Sequence, residues 1–350
     1  MNAALQLETE KLIHSWMQHD SAHLRDYLVA TVEDPRINLQ SIFTRHFLLR
    51  ELFPGRFEAL LEEECRFAAV MNWAAILASD LKEPEVRQAI LHALRQGADN
   101  AEGIPVAPFV TQAFQRLPQI LDSCAVPNYL RSSLARPPAS GSAPFGDDVL
   151  NTFQGIWSDA LRKLSNQTAC RPTVLEPACG SANDYRFLVS YGIAQFIDYS
   201  GFDLCEKNVL NARAMFPQIN FETGNVFEIS AADASFDLCI VHDLLEHLSI
   251  EGMHAAVQQL CRVTRRGLCI GFFQMHEGAG HIVRQIDEYH WNTLSLPRMR
   301  DLFAENGFEA QAYHIGSFLR QKFGCECTHN PDAYTLFLLS APVLRRFSEF

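Results

Sequence analysis

Between residues 174 and 203 the chain places an acid, a run of small residues and a second acid at intervals suited to holding a nucleoside. A short apolar run ends at Glu176, then Pro177-Ala178-Cys179-Gly180-Ser181-Ala182-Asn183 follows, and Phe202-Asp203 closes the next apolar run. Small residues at 178, 180 and 182 let backbone approach a ligand without a bulky side chain in the way. An acid ending the second strand can accept both hydroxyls of a ribose. A dinucleotide fold wants a glycine where Asn183 stands, and the first glycine position is Ala178. No Gly-Lys-Ser/Thr follows the turn, so a Walker-type phosphate loop is absent. Glu176 would repel a pyrophosphate and suits a cation.

These residues need strands and helices in alternation to hold them. Apolar runs at 173–176, 199–203, 220–222, 236–241, 268–273, 310–315 and 333–339 predict strands, and the spacing predicts helices over 183–191, 206–215, 250–264 and 297–307. That alternation implies a parallel sheet covered by helices on both faces. The last two strands show no helix between them and read as an antiparallel closing pair. The first half reads helical, with apolar residues at three and four spacing over 41–52, 57–79, 84–96 and 109–121. Residues 132–148 are rich in Pro, Gly, Ser and Ala and read as a linker. The expected organisation is therefore a helical domain over 1–131, a linker over 132–148 and a catalytic domain over 149–350.

On these residues the second half resembles the class I S-adenosylmethionine-dependent methyltransferases. The first family motif is matched by Glu176, Ala178, Gly180 and Ala182, and the second by Asp203. The third is matched by Gly224-Asn225-Val226, and the fourth by residues 236–241 followed by His242-Asp243-Leu244-Leu245-Glu246-His247. The departures are alanine for glycine at 178 and 182, which bear on the geometry of the turn. The resemblance covers roughly the last 200 residues, about one domain by size. It implies an α/β fold, a seven-stranded, doubly wound, mostly parallel sheet of the Rossmann-like methyltransferase kind, joined here to an all-α N-terminal domain. It also implies S-adenosyl-L-methionine as the cofactor. Glu176, Ala178, Cys179, Gly180, Asn183, Asp203, Leu204, Asn225, Val226 and His242 would bind it. The backbone from 178 to 182 would flank the methionine part, Asp203 would take the ribose, and Asn225 and Val226 would meet the adenine. Read on their own, Asp203 could instead cap the segment after it, and Asn225 could be a turn residue.

Methyl transfer from a sulfonium is an in-line displacement, so the protein mainly aligns nucleophile and methyl. A general base helps when the nucleophile must lose a proton, and histidine suits that work. The candidates are His290 first, then His276 and His281, in the loop after the fifth strand. Each also reads as a hydrogen-bonding residue that packs the loop. Asp243, Glu246 and His247 fall at i, i+3 and i+4, one face if helical. With His290 they resemble the metal set of small-RNA 2′-O-methyltransferases and of some quinone-precursor O-methyltransferases. The expectation is no metal, since such acid–histidine helix starts commonly lack one.

The chain has 350 residues, 48% of them hydrophobic and 20% charged, as in soluble globular proteins. Its net charge of -12 argues against a nucleic-acid acceptor. The densest basic patch is Arg262, Arg265 and Arg266. The ten cysteines show no metal-knuckle spacing and read as reduced thiols. No signal peptide pattern opens the chain and no apolar stretch is long enough to span a bilayer, so a cytoplasmic protein is expected. The helical half could form a lid, a homodimer surface or a partner-docking module. Its Trp16, Phe43, Phe47, Phe53, Phe67 and Trp73 read as core rather than as an acceptor pocket. The expected activity is methyl transfer to oxygen or nitrogen of a small molecule. The rivals are a metal-dependent RNA 2′-O-methyltransferase and a non-catalytic cofactor-binding or assembly protein.

Overall fold

A computed structural model of the chain describes residues 1–17, 35–81, 100–101, 104–105, 112, 116, 152–164, 170–325 and 330–340. The helix expected over 84–96, nearly all of that over 109–121 and the linker over 132–148 lie outside these residues. So do the side chains of Trp16 and Trp73.

Seven strands form one sheet: β1 (Thr173–Pro177), β2 (Asp198–Asp203), β3 (Asn220–Thr223), β4 (Phe236–His242), β5 (Thr264–Phe272), β6 (Phe308–His314) and β7 (Tyr334–Ser340). Their order is β6-β7-β5-β4-β1-β2-β3. Every neighbouring pair is parallel except those of β7, which runs antiparallel to β5 and β6. The doubly wound α/β architecture expected from the alternation is thus present. The chain builds outward from β1 to β3, then crosses back to β4, so the switch point lies between β1 and β4. Ligands of such sheets sit beyond the carboxyl ends of the strands at that point. Residues 176–183 and 242–247 meet there.

Helices cover both faces. They are α1 (Ala3–Met17), α2 (Leu39–Leu52), α3 (Glu58–Leu81), α4 (Thr152–Arg162), α5 (Asn183–Ser190), α6 (Glu206–Met215), α7 (Ile250–Val263), α8 (Leu296–Glu305) and α9 (Ile315–Phe323). Alternate residues of each strand serve opposite faces. Leu238 and Ile240 of β4 join one core with α2 to α6 and α9, while Cys239 and Val241 join the other with α1, α7 and α8. The central strands are continuous apolar runs because both faces are covered.

The N-terminal helices take part in this core directly. Phe43 of α2 stacks on Tyr313 (centroids 5.2 Å apart) and meets Phe318 at 5.0 Å, and Phe47 meets Phe337 at 5.3 Å. Phe43, Phe47 and Phe67 are buried in that cluster and Phe53 packs against it, as expected of core residues. Arg45 and Glu64, both 2% exposed, pair at 2.8 Å, and Trp157 of α4 donates its indole N–H to Glu64 at 2.9 Å. In the described residues, α2 and α3 have no core apart from the sheet's.

One expectation needs correction: a helix, α9, does stand between the last two strands. His314 caps it by accepting the Ser317 N–H, and Gly324 ends it with φ 66°. Ile315, Leu319 and Phe323 carry its buried face. Reading residue 315 as strand hid the helix start.

Candidate active site

The turn after β1 is tightly wound. Ala178, Gly180 and Ala182 have φ of 55°, 53° and 62°. Only glycine enters this left-handed region freely, and an L-residue there costs about 1 kcal/mol. The strain holds because the turn is pinned: the Cys179 N–H donates to the Phe202 carbonyl (3.0 Å) and the Gly180 N–H to Asp203 Oδ2 (2.9 Å). Asp203 Oδ1 accepts from the Cys205 N–H (2.8 Å) and from Asn208 (3.3 Å). Asp203 therefore braces Cys205, the residue at the N-cap of α6, without capping the helix itself, and lines the crevice. Burial pushes its carboxyl above the usual range in spite of these three bonds.

Beneath the turn lies a buried acid–base chain. Tyr199 donates its hydroxyl to Glu176 at 2.5 Å. Burial, and then the charge of Asp184, hold Glu176 well above the ordinary carboxylate range. Asp184 bonds His242 Nδ1 at 2.8 Å, and His242 Nε2 meets the Thr44 hydroxyl at 2.6 Å. Burial would lower the imidazole, yet the Asp184 carboxylate raises it. Gln40 of α2 donates to the carbonyls of Phe272 (2.7 Å) and Tyr334 (3.1 Å), tying that helix to the sheet end. Sequence reasoning missed Asp184, Tyr199, Thr44 and Gln40. The only signal was a polar pair, Gln40 and Thr44, at i and i+4 of α2.

After β4 the backbone turns through Asp243, whose φ is 52°. His247 Nε2 meets Asp243 Oδ1 at 2.9 Å and His247 Nδ1 meets the His290 carbonyl at 3.0 Å. The carbonyl and an ionised Asp243 both accept, so the arrangement favours protons on both ring nitrogens, the imidazolium form. Burial opposes that charge, but Asp243 prevails and raises the imidazole to about 9. Next to it, Glu246 is 2% exposed, accepts the Phe273 N–H at 2.8 Å, and is pushed up to about 7 by burial and by the Asp243 charge. The rings of Tyr289 and Trp291 flank His247 at 6.0 and 5.0 Å.

One cavity of about 380 Å³ gathers these groups. All ten residues expected to hold the cofactor line it: Glu176, Ala178, Cys179, Gly180, Asn183, Asp203, Leu204, Asn225, Val226 and His242. So do Asp243, His247, Gly271 and Phe273 toward β4 and β5, and Leu12 and Gln40 from the N-terminal helices. Asn225 has its Oδ1 on the Phe227 N–H (2.9 Å), as a turn residue would, and its amide nitrogen on Thr9 of α1 (2.9 Å).

The three histidines named as bases do not border this cavity. His290 presents its peptide carbonyl, not its ring, to His247. His276 accepts the Gly278 N–H through Nδ1 (3.0 Å). His281 accepts the Ser295 N–H (3.1 Å) and is lowered by burial, with His254, His276 and Arg298 nearby. Asp243, Glu246, His247 and His290 do not converge on a common point, and no group of three metal-ligating side chains occurs among the described residues. The basic patch is neutralised: Arg262 pairs with Asp233 (2.8 Å), Arg265 with Asp237 (2.5 Å) and Arg266 with Glu51 (2.6 Å).

Residues 174–267 match the sequence profile of a family described as a methyltransferase domain. A Mycolicibacterium smegmatis protein described as a "probable S-adenosylmethionine-dependent methyltransferase" is 26% identical over 160 residues, which are 43% of this chain. The chain spans 56% of that relative's length. Among solved structures, a Methanosarcina mazei S-adenosylmethionine-dependent methyltransferase aligns at 13% identity, with a TM-score of 0.38, over 51% of this chain and 96% of its own. The Burkholderia thailandensis 1,6-didemethyltoxoflavin-N1-methyltransferase, solved with 1,6-didemethyltoxoflavin and S-adenosylhomocysteine, aligns at 12% with a TM-score of 0.37, over 68% and 92%. Residues 174–267 thus resemble the class I S-adenosylmethionine-dependent methyltransferase domain, and the sheet they belong to has the mostly parallel seven-stranded order that the resemblance implies. S-adenosylmethionine is the cofactor of that class, and the cavity suits it: backbone at 178–182 kept open by small residues, and a carboxylate, Asp203, at the end of β2.

Proposed function

We propose that this protein transfers the methyl group of S-adenosylmethionine to oxygen or nitrogen of a small molecule. The observation that carries the reading is the cavity that joins the small-residue turn and Asp203 to a polar and aromatic end at Asp243, His247 and Phe273. When bound, the cofactor supplies the activated methyl. The chain's own residues hold it and orient the acceptor. The Ala178–Ala182 backbone and Asp203 serve the first task, and Leu204, Asn225 and Val226 enclose the nucleoside. In this reading, proton acceptance from the substrate falls to Asp243, whose side chain is 46% exposed and fixed through one oxygen by His247. His247, already doubly protonated, orients that carboxylate rather than acting as the base.

A small acceptor is favoured over RNA by the net charge of -12 and by the pairing of all three arginines of the basic patch. A cytoplasmic setting is supported by seven described cysteines that are free thiols, Cys65, Cys170, Cys179, Cys205, Cys239, Cys261 and Cys269, six of them buried. No described helix is long and apolar enough to cross a membrane.

Titration calorimetry with S-adenosylhomocysteine tests the reading. Binding in the micromolar range is expected, weakened about tenfold by Asp203→Asn through loss of one charged acceptor. Silence at millimolar nucleoside would sink it. Binding without methyl release to any of a panel of hydroxyl and amine metabolites would favour the non-catalytic rival.

A further inference from the structure

The first helix, α1, lies against the nucleoside end of the crevice. Leu5 and Leu12, each 7% exposed, are buried in the same cluster as Val226, Phe227, Leu245 and Leu248. Leu12 also lines the cavity that Asp203, Leu204, Asn225 and Val226 line.

Polar contacts hold the helix in that position. Glu8 takes the Ser249 N–H at 2.7 Å and the Ser249 hydroxyl at 2.6 Å, a two-point grip on the residue that caps α7. Thr9 accepts the Asn225 amide at 2.9 Å and returns its own proton to the Leu5 carbonyl at 2.8 Å. The partners are 241 and 216 residues away in the chain. The opposing surface is shaped for the grip. A Cβ at Gly252 would stand 2.8 Å from Glu8 Oε2 and 3.0 Å from the Phe227 ring, so a side chain there would push the carboxylate from this position.

We propose that α1 is part of the cofactor site. It closes the nucleoside end, Leu12 adds an apolar wall beside Val226, and the Glu8–Ser249 and Thr9–Asn225 bonds hold it shut. Asn225 then has two duties, shaping its own turn and latching α1. The cofactor enters and leaves when the latch releases, because the wall that Leu12 provides belongs to this helix. This inference rests on the methyltransferase reading and adds residues that the family motifs do not contain.

The test uses the full chain and S-adenosylhomocysteine. A Glu8→Ala/Thr9→Val double variant removes the polar latch and leaves Leu12 in place. Gly252→Ala, the second variant, presses on Glu8 from the other side without substituting any residue of α1. Stopped-flow displacement reads the dissociation rate, and hydrogen exchange reads the amides of residues 6–13. The latch includes charge-assisted bonds, so either variant should speed dissociation by about tenfold or more and speed exchange in α1 to a similar degree. In the unaltered protein, S-adenosylhomocysteine should slow exchange across residues 6–13. Melting curves report whether each variant keeps its fold, and Gly252→Ala carries the test if the double variant does not. If the unaltered protein binds the nucleoside but both rates stay within twofold in the folded variant, the latch is overturned and the methyltransferase reading stands. If the unaltered protein binds no nucleoside, the reading beneath the inference fails first.

Discussion

Glu246 and His247 adjoin in the chain, yet burial and neighbouring charge act on them with opposite consequences for stability. The Glu246 carboxyl stands at about 7 in the folded protein against an ordinary 4.5. Between those two pH values the unfolded chain has released a proton that the folded chain still holds. Stability therefore falls as pH rises through that window, and the cost is constant above it. Glu246→Gln keeps an oxygen for the Phe273 N–H and removes the titration. It should raise stability at pH 8 by about 2 kcal/mol, with the gain vanishing near pH 4, as melts across that range would show. His247 shows the reverse. Its imidazole is raised from 6.5 to about 9, so its contribution is complete below 6.5 and is lost as pH climbs through 9. Nitrogen-resolved NMR should find both ring nitrogens protonated at pH 7.5, and Asp243→Asn should bring the midpoint down by about a unit or more, since it removes the paired charge. A neutral ring at pH 7.5 would make His247 a candidate base in place of Asp243.

At the level of elements, the turn between β1 and α5 is strained where the chain has alanine instead of glycine. Ala178 sits at φ 55° and lines the cavity. Ala178→Gly should stabilise the protein by about 0.5–1 kcal/mol, because relief of the left-handed strain outweighs the added freedom of the unfolded chain. A shift of the urea midpoint at unchanged slope would show it, whereas a lower midpoint would mean that the methyl is packed to advantage. This turn was legible in the sequence because its signals are local: small residues, an acid before them and an acid 27 residues on, at Asp203. The strands were legible for the same reason, as compact apolar runs. What escaped is tertiary. Thr44 reaches His242 across 198 residues and Glu8 reaches Ser249 across 241, and no spacing rule connects such pairs. His290 is a candidate by residue type alone; it lies in a two-residue strand paired with Gln285 and Ile286 in the segment after β5, and its carbonyl is the group that faces His247.

Across the whole molecule, composition suggested a helical domain joined by a linker to a catalytic one, and the packing of the described residues argues for a shared core. Leu39 to Val70 contribute to the same buried cluster as Val174, Leu238, Ile240, Cys269 and Phe337 of the sheet. Gly267 of β5 lies so close to α2 that a Cβ there would stand 3.1 Å from the Phe47 ring. Thr44 and Gln40 make the same helix part of the site as well as of the core. Phe47, 3% exposed, is therefore a test of how the two halves unfold. Truncation of a buried phenylalanine costs about 3–5 kcal/mol. If α2 and the sheet form one cooperative unit, Phe47→Ala lowers a single calorimetric transition, and S-adenosylhomocysteine raises that same transition in both proteins, because ligand binding stabilises whatever must unfold to release it. If the helices were an independent domain, Phe47→Ala would lower one transition while the nucleoside raised another. The shared aromatic contacts of Phe43 and Phe47 with Phe337 favour the first outcome, since removing either side leaves the other's ring against a void.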